Sequence, residues 1–490
     1  MSMSKRKILV RFGELTLKSS RSRRRFLRIL IRNIRDALNS LGYKYEIENL
    51  WSRLIIDVDG DLEETCEVLK RVFGVHSLVI VSDHYFNGLE DLAKICVSEY
   101  KDLVKGKSFA VRVKRAGYHN FTSMDVARLV GERLLKYAKK VDLSNPEVEV
   151  RLEIRDDRLF CYHKMVKAYG GLPVGTEGVA VALVSGGFDS AVAAWYTLKR
   201  GAIVHYVFCN LDGEGYKLDV IRVLKVLSDN WSYGYQPRLY VVDFSSVLDE
   251  IKKTREDYWN VILKRMMYRA AEYVAKKINA ESIITGESLG QVSSQTLTNL
   301  YVSQLAVKIP INRPLFGLDK EEIIEISREI GTYDYSAKVQ EYCAIIPEKP
   351  ILKASIKVVE DEEGKMNLSL LDDALKRVEV IKLKRYVIRP PDKFGLEDIP
   401  HNMIVIDIRD EDSYNSWHYP NSINIPAEEL RGNPDKYLDK NKSYVLYCEK
   451  GILSRELAYF LRGQGYDVYY FMYGLPKLRK ICELIGHRPS

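Results

Sequence analysis

The hydrophobic pattern changes twice along the chain. Up to residue 170, short alternating apolar stretches are interspersed with longer amphipathic ones, which is typical of mixed strands and helices. From residue 171 to 352, continuous apolar runs are each followed by apolar residues at helical spacing, which predicts parallel strands with helical crossovers. Residues 400–490 show the same βα pattern on a smaller scale. The pattern therefore predicts a multidomain protein of the α+β and α/β classes.

The first 170 residues predict two small domains. Residues 1–60 predict a strand, a helix and two strands, at 7–12, 23–41, 43–48 and 53–58. This βαββ order is typical of a ferredoxin-like domain. Residues 61–170 continue as α+β, with predicted helices at 62–72, 89–104 and 122–139. The predicted strands of that second region lie at 77–81 and 108–114, with a hairpin over 148–162.

The clearest local pattern is a strand, a loop of small residues and a helix at 178–201. Its apolar run predicts a strand buried on both faces of a parallel sheet. In the loop, Gly186 and Gly187 let the backbone approach a ligand, and Ser185 and Ser190 add hydroxyl groups. The following helix N-terminus presents unpaired N–H groups and partial positive charge. The loop is thus a candidate phosphate site, although a tight turn that needs glycine only for its geometry is the alternative.

Two further polar segments follow predicted strands of the same sheet. One begins at Asn210, and the other is the segment 285–299. Segment 285–299 is dense in hydroxyl and amide side chains and almost free of charge, which is unlike both a core and a solvated loop. Ligands of parallel sheets bind at the carboxyl ends of the strands. We therefore expect these polar segments to face a ligand.

Charge is unevenly distributed along the chain. The net charge of the 490 residues is +8, but residues 1–35 contain twelve Lys and Arg against one carboxylate, Glu14. Such a cluster is either a solvated helix face or a contact surface for a phosphate backbone. A second basic stretch with aromatic residues, near Tyr118, allows the same two interpretations. The candidate nucleic-acid-binding residues are Arg21, Arg23, Arg24, Arg25, Arg28, Arg112, Lys114 and Arg115.

Apolar runs and cysteines limit the class of protein. No apolar run reaches the ~20 residues of a membrane span, and no signal-peptide pattern follows the basic N-terminus, so we expect a cytoplasmic protein. The seven cysteines stand singly, without a C-x-x-C pair. This argues against a disulfide scaffold and against a zinc site, and we expect no protein-bound metal cluster.

Cys448 stands out among the cysteines because it ends a predicted strand at 444–447 and precedes a predicted helix at 453–462. The loop between them presents backbone amides, a setting that makes a thiol nucleophilic. A buried, inert cysteine is the alternative. The preceding residues, 353–399, contain an acidic run and a Pro-Pro pair, which predict a linker before the C-terminal domain, with a short helix at 368–380.

Several strings resemble known families. Ser-Gly-Gly-Phe-Asp-Ser at 185–190 resembles the PP-loop of ATP pyrophosphatases, which adenylate a substrate and release pyrophosphate. Segment 285–299 resembles the tRNA 4-thiouridine synthetase (ThiI) family, and residues 313–322 agree with it. The element order of residues 61–170 fits a THUMP-type RNA-binding module. The C-terminal strings around Asp407 and Cys448 resemble rhodanese sulfurtransferases.

These resemblances imply five regions: a ferredoxin-like domain at 1–60, a THUMP domain at 61–170, a PP-loop (adenine nucleotide hydrolase-like) domain at 171–352, a linker at 353–399 and a rhodanese-like domain at 400–490. They imply ATP and Mg²⁺ as cofactors, with Asp189 and Lys320 in catalytic roles. Asp319 can cap the helix that Lys320 begins. The ATP-binding residues that the resemblance implies are Leu183, Val184, Ser185, Gly186, Gly187, Ser190, Phe208, Cys209, Lys264, Gly286 and Gln295.

The family resemblance also implies one joined reaction. The central domain would adenylate O4 of a tRNA uridine, and persulfide sulfur on Cys448 would displace AMP. Cys343 would form a transient disulfide with Cys448, which a reductant reopens, so the C-terminal domain would have to swing. A cysteine desulfurase as sulfur donor, uridine eight as target, sulfur supply for thiamine thiazole and a homodimer are further implications. The alternatives are a thiolase of another tRNA base, and a tRNA-binding or sulfur-carrier protein with an inactive ATP site.

Overall fold

The computed structural model describes residues 6–50, 53–211, 213–339, 347, 349–388, 393–449 and 451–484. The chain divides into two units. One comprises Met1–Thr176 with Lys199–Gly201, and the other comprises Glu177–Leu198 with Ala202–Ser490. Among the described residues, no helix is long and apolar enough to cross a membrane.

The first unit is built on one mixed sheet. Its elements are β1 (Arg6–Phe12), α1 (Ser20–Asn39), β2 (Tyr45–Asn49), β3 (Arg53–Val58), α2 (Leu62–Leu69), β4 (Val75–Tyr85), α3 (Gly88–Val104), β5 (Ser108–Ala116), α4 (Ser123–Leu135), β6 (Lys140–Val141), β7 (Val148–Arg155) and β8 (Arg158–Lys167). The eight strands are ordered β2-β3-β1-β4-β8-β7-β5-β6. The predicted hairpin is formed by β7 and β8, and Asp156 at its turn has a φ of 51°.

Strand β4 lies at the centre of this sheet and joins its two halves. It pairs antiparallel with β1 on one side and with β8 on the other. The sheet of the predicted βαββ unit therefore continues past residue 60, since β4, from beyond that predicted boundary, pairs with β1. Strand β4 is also longer than the predicted 77–81, since its burial is nearly continuous and lacks the alternation that marks a half-buried strand.

The second unit begins with a parallel sheet and helical crossovers, as the sequence predicted. Its elements are β9 (Val179–Leu183), α5 (Phe188–Lys199), β10 (Ile203–Asn210), α6 (Gly213–Trp231), β11 (Arg238–Asp243), α7 (Ser245–Ile251), α8 (Trp259–Ile278), β12 (Ser282–Ile284), α9 (Leu297–Gln304), β13 (Ile311–Asn312), α10 (Lys320–Ile330), α11 (Tyr333–Ser336), α12 (Ile356–Glu363), α13 (Ser369–Lys376) and β14 (Glu379–Lys382). Single 3-10 turns lie at Glu256–Tyr258, Ser293–Gln295 and Leu383–Arg385 in this unit, and at Glu14–Leu17 in the first unit.

The strand order of this sheet is β13-β12-β9-β10-β11-β14. After β9 the chain builds β10 and β11 on one side, and then returns to place β12 on the other side of β9. Parallel sheets bind ligands where the strand order reverses in this way. The loops after β9 and β12 therefore meet at the expected ligand edge.

The stretch predicted as a linker, 353–399, is mostly folded. Helices α12 and α13 bury Val359 and Leu371 in the core of the central sheet, and β14 pairs antiparallel with β11. The acidic run that suggested a break is held by cations, since Glu363 is buried and bonded to Arg265 at 2.6 Å. A run of carboxylates looks solvated in a sequence, but its buried partner lies 98 residues away.

A second parallel sheet forms the C-terminal part of this unit. Its elements are β15 (Gly395–Leu396), β16 (Ile404–Asp407), α14 (Glu411–Ser416), β17 (Ile423–Asn424), α15 (Ala427–Gly432), α16 (Pro434–Tyr437), β18 (Ser443–Tyr447), α17 (Ile452–Gly463), β19 (Asp467–Phe471) and α18 (Leu475–Leu484). The strands are ordered β15-β19-β18-β16-β17 and all the pairs are parallel. Strand β18 and helix α17 were predicted from the sequence, whereas β19 and α18 were not.

Candidate functional site

The loop between β9 and α5 has the geometry of an anion cradle. Gly186 has a φ of +80°, and a Cβ there would lie 3.1 Å from the side chains of Val220 and Val339. The Ser190 hydroxyl accepts a bond from the Ser185 amide at 3.4 Å and donates to the Gly187 carbonyl at 3.2 Å. The loop is therefore folded on itself, with glycine required where it is tightest.

The loop after β12 packs directly on this cradle. A Cβ on Gly286 would lie 2.5 Å from the carbonyl carbon of Asp189 and 2.6 Å from the amide nitrogen of Ser190. No side chain fits in that space, so two segments that are distant in sequence meet backbone to backbone. Gly286, predicted as an ATP-binding residue, thus has a packing role.

Asp189 carries two partners at the start of α5. Lys320 Nζ lies 2.9 Å from Asp189 Oδ1, and Gln291 Nε2 donates to Asp189 Oδ2 at 3.0 Å. Lys320 is the first residue of α10, whose N-terminus has the expected capping box of Asp319 with Glu322. The lysine is about one-third exposed and the aspartate is less exposed. The two predicted catalytic residues therefore form one ion pair at the mouth of the cradle.

A buried carboxylate, Glu287, organises the polar segment beside the cradle. It accepts bonds from Lys264 at 2.5 Å, Arg313 at 2.7 Å, Tyr268 at 2.6 Å and Thr285 at 2.9 Å. Burial alone would raise the pKa of Glu287, but the two cations outweigh burial and lower that pKa to about 2. Lys264, predicted to bind ATP, thus bonds to Glu287.

Two amide oxygens in the same segment lack a partner. Oε1 of Gln291 and Oε1 of Gln295 are buried and accept no hydrogen bond from any described residue. An unpaired buried acceptor costs free energy unless a ligand satisfies it. These oxygens suit a donor such as an exocyclic amino group, so the residues present fit an adenine nucleotide.

Other predicted ATP-binding side chains are mainly core residues. Phe208 is buried and packs edge-to-face on Tyr216, with ring centroids 5.1 Å apart. Cys209 is buried too, and burial raises the pKa of its thiol. Val184 is buried and Leu183 half-buried. Contacts from the buried positions to a nucleotide would come from backbone atoms at the strand ends.

Cys448 follows β18, at the carboxyl edge of the C-terminal sheet. Its Sγ accepts a hydrogen bond from the backbone amide of Ser454 at 3.4 Å and lies 3.4 Å from the Ser454 hydroxyl. Gly451, with a φ of +72°, turns the loop into α17. Cys448 is 5 % exposed; its thiol donates to the Ser454 hydroxyl, and the Ser454 amide is a local N–H donor that suits a sulfur anion.

Asp407 and Arg409, which belong to the string that resembles rhodaneses, support the Cys448 loop. Arg409 forms a two-pronged pair with Asp407, with its Nη2 2.7 Å from Asp407 Oδ2, and both side chains are buried. The same guanidinium donates to the Trp417 carbonyl at 2.6 Å and reaches Glu449 at 3.4 Å. Because Glu449 is next to Cys448, the pair helps to position the cysteine loop. Cys343, the predicted disulfide partner, lies outside the described residues.

Helix α1 carries the five arginines that were predicted to bind nucleic acid, and four of them form a row. Four of them recur at helical spacing, are exposed and line a concave surface of about 540 Å³ with Ser22. Arg23 is half-buried and lies off this row. Arg25 also donates to the Thr176 carbonyl at 2.8 Å. The four residues of this row, the α1 arginine row, are Arg21, Arg24, Arg25 and Arg28.

The basic residues of β5 alternate between its two faces, with Arg112 and Lys114 on one face and Arg115 on the other. Arg112 donates to the Leu143 carbonyl at 2.6 Å, and Arg115 bonds to His119 at 2.9 Å. Lys114 lines a basic depression of about 490 Å³ on the eight-stranded sheet. This basic sheet face is lined by Arg11, Phe12, Arg53, His76, Ser77, Lys114, Arg151, Met165 and Lys167.

The sequence prediction missed all of the basic sheet face except Lys114. Its cations come from strands that are far apart in the chain, so no local charge run marks them. The available signal was the alternation of Arg11, Arg53 and Arg151 with buried neighbours on their strands. Only the sheet order brings these positions together.

Comparison with known proteins shows what the chain is similar to. It is 37 % identical over 474 residues to a tRNA sulfurtransferase of Pyrobaculum aerophilum, covering 94 % of this chain and 96 % of the relative. A tRNA sulfurtransferase of Escherichia coli O8 is 35 % identical over 478 residues, covering 94 % and 98 %. The chain belongs to the ThiI family. Residues 175–368 match the family model described as thiamine biosynthesis protein (ThiI).

Three further family models match the chain outside that ThiI region. They are the ThiI ferredoxin-like domain at residues 7–79, the THUMP domain at 85–163 and the rhodanese-like domain at 395–480. A crystal structure of a 4-thiouridine synthetase–RNA complex with bound ATP superposes with a TM-score of 0.68 at 32 % identity, covering 77 % of this chain and 99 % of that one. The family and fold class inferred from the sequence are thus confirmed.

Proposed function

We propose that this ThiI-family protein is an ATP-dependent tRNA sulfurtransferase that converts a uridine to 4-thiouridine. The observation that carries the proposal is the cradle at 185–190, which has Asp189 and Lys320 at its mouth and the unpaired Gln295 oxygen in the adjoining segment. Support also comes from the relatives named tRNA sulfurtransferase and from the 4-thiouridine synthetase structure.

In the first step, O4 of the uridine attacks the α-phosphorus of ATP, and pyrophosphate leaves. The loop amides and the hydroxyls of Ser185 and Ser190 hold phosphate oxygens, while Lys320 places a positive charge near the leaving group. Mg²⁺ supplies additional neutralisation of phosphate charge when bound, and Asp189 is the carboxylate placed to hold it. The predicted ATP contacts of Lys264 and Gly286 belong to this proposal.

In the second step, the terminal persulfide sulfur on Cys448 attacks C4, and AMP departs with O4. The Cys343 thiolate then attacks the Cys448 sulfur, which breaks the bond to the transferred sulfur and leaves a Cys343–Cys448 disulfide. A reductant returns both thiols by supplying two electrons. The Ser454 amide beside Cys448 supports this role, since it stabilises negative charge on the sulfur.

Recognition of tRNA is assigned to the first unit. The α1 arginine row and the basic sheet face offer cations to a phosphate backbone, and the matched THUMP model supports an RNA-binding role. Arg23, Arg112 and Arg115 remain part of the proposed surface.

The reaction needs partners from outside the chain. We propose a cysteine desulfurase as the sulfur donor, a thiol reductant for the disulfide, uridine eight as the target, a cytoplasmic location and a homodimeric assembly. Sulfur supply to thiamine thiazole is a second use of Cys448, supported by the description of the matched family model.

The deciding experiment is mass spectrometry of nucleosides from unmodified tRNA. The protein is incubated with that tRNA, Mg-ATP, a persulfide source and a reductant. We expect 4-thiouridine that depends on ATP and on all the other components. Release of AMP and pyrophosphate without any thionucleoside would contradict the proposed sulfur step while leaving the adenylation site intact.

The tRNA surface is tested by charge reversal. An Arg24→Glu, Arg28→Glu variant removes two cations of the α1 arginine row, so tRNA affinity should fall and the slope of log K against log salt should flatten by about one unit per lost phosphate contact. Filter binding across a salt series measures this slope. The matched control reverses Lys94 and Lys101, exposed on α3 of the same unit. An equal change in both variants would assign the row to general electrostatics.

A further inference from the structure

Helix α6 lies between the ATP-side cradle and the rhodanese-like domain, which here means residues 395–484. On one side, Tyr216 donates its hydroxyl to the Ser185 carbonyl at 2.9 Å. Val220 of the same helix lies against Gly186: a Cβ added to Gly186 would come within 3.1 Å of the Val220 side chain. The first two turns of α6 therefore form one wall of the cradle.

An adjacent side of α6 packs on the rhodanese-like domain. A Cβ on Gly215 would lie 2.5 Å from the Met472 carbonyl oxygen and 2.7 Å from the Tyr473 ring, so only glycine allows this approach. Leu218 packs against the hydrophobic core of the domain. The contact therefore has the close packing of an interior.

Polar contacts surround this packing and define its register. Arg222 Nη2 lies 2.7 Å from Glu397 Oε1 of the rhodanese-like domain and also bonds to Asp219 on its own helix at 2.9 Å. The Tyr473 hydroxyl reaches the same Asp219 at 3.4 Å. Outside α6, Lys477 donates to the Lys338 carbonyl at 2.9 Å. Charge complementarity of this kind selects one docked orientation.

The docked orientation places the cysteine loop at the ligand edge of the central sheet. A cavity of about 270 Å³ is lined by Asn210 and Asp243 at the carboxyl ends of β10 and β11, by Gly451 of the Cys448 loop and by Arg455 of α17. Asn210 and Asp243 mark the carboxyl edge of the central sheet, where parallel sheets bind ligands. The docked orientation therefore brings the Cys448 loop to that edge.

We propose that α6 is the docking surface that holds the rhodanese-like domain in its sulfur-delivering position, with Arg222 and Glu397 as positioning residues. The proposal rests on the proposed function, because the position matters only if Cys448 delivers sulfur to an adenylated base. Because the rhodanese-like domain and α6 belong to one chain, docking is an intramolecular equilibrium. A modest ion pair therefore changes the fraction of molecules in which the domain is docked.

The test is a charge swap in the full-length protein. Arg222→Glu and Glu397→Arg each place like charges together, and each should slow single-turnover formation of 4-thiouridine about tenfold. The double variant restores an opposite-charge pair and should recover most of the rate. Persulfide loading of Cys448 and tRNA-dependent pyrophosphate release should be unchanged in all three. Asp229→Lys, an exposed reversal on the same helix, is the control.

The outcomes separate the two proposals. Absence of 4-thiouridine in the wild-type reaction overturns the proposed function, whatever the variants do. Normal rates in both single variants overturn the docking proposal alone. A faster rate in either single variant overturns it too, because the dock would then hold the domain at rest. Slow rates without recovery in the double variant would show that the pair does not act through its charge.

Discussion

The two ligand loops of the second unit are built alike but completed differently. Both connect a buried parallel strand to a helix, and both turn at a glycine with positive φ, +80° at Gly186 and +72° at Gly451. The cradle at 185–190 is completed by a residue that is distant in sequence, since Lys320, the partner of Asp189, lies 131 residues further along the chain. The Cys448 loop is completed locally by Ser454, six residues on.

The difference follows from the chemistry that each loop is proposed to perform. A triphosphate carries several charges over a large volume, so backbone amides need help from cations that other elements bring in. A sulfur anion is a single atom, and one amide with one hydroxyl can hold it. Loops that look equivalent in a sequence therefore differ in how much of their function depends on the rest of the fold.

The largest expected effect comes from the local loop. Cys448→Ser should lower 4-thiouridine formation by at least about 10³-fold and abolish persulfide labelling, because the attacking sulfur is lost. Pyrophosphate release should remain. Mass spectrometry of the intact protein and of tRNA nucleosides measures both results, with Cys482→Ser as the cysteine control. Persulfide on the Cys448→Ser protein would assign the carrier role to another thiol.

The distant ion pair should give the next largest effect, on the other half-reaction. Asp189→Ala and Lys320→Met should each reduce tRNA-dependent pyrophosphate release by about 10²–10³-fold, because charge at the phosphates is lost. Because the two side chains act as a unit, the double variant should be little worse than either single one. Persulfide labelling of Cys448 should be normal. Fully additive losses would mean that the residues work independently.

The Glu287 network should make the stability of the central domain depend on acid pH. Its folded pKa of about 2 lies below the ordinary 4.5, so its contribution is complete above pH 4.5 and is lost as the pH falls toward 2. The loss amounts to on the order of 3 kcal/mol. Glu287→Gln should flatten this part of the pH profile in denaturant titrations.

Glu329→Gln, which removes an exposed carboxylate, is the control for that titration. An unchanged acid slope in the Glu287→Gln protein would show that other carboxylates carry the dependence.

The smallest effect concerns the contact between the two strand-end loops. Gly286→Ala forces a methyl group against the Asp189–Ser190 backbone and should cost about 1–3 kcal/mol of stability. Gly317→Ala, with open space around the added atom, should have little effect. Thermal unfolding compares the two proteins. Equal melting temperatures would mean that the loops separate easily.

The sequence by itself determined the local elements and the chemistry that they contain. Continuous apolar runs marked the parallel strands, and the small-residue loops showed where each strand ends. The capping box that starts α10 and the thiol after β18 could be read within a few residues. The family resemblance then gave the domains their identities, although within 353–399 the pattern indicated only one short helix, at 368–380, in a predicted linker.

Only the tertiary structure decided which distant residues meet. The pairing of Glu363 with Arg265, the basic sheet face and the contact of α6 with Glu397 all join positions far apart in the chain. Local periodicity carries no information about such pairs, because the partner of a buried charge is chosen by strand order and helix packing. That is why the acidic run was predicted as part of a linker, and why two loops with the same strand–loop–helix pattern depend so differently on the fold around them.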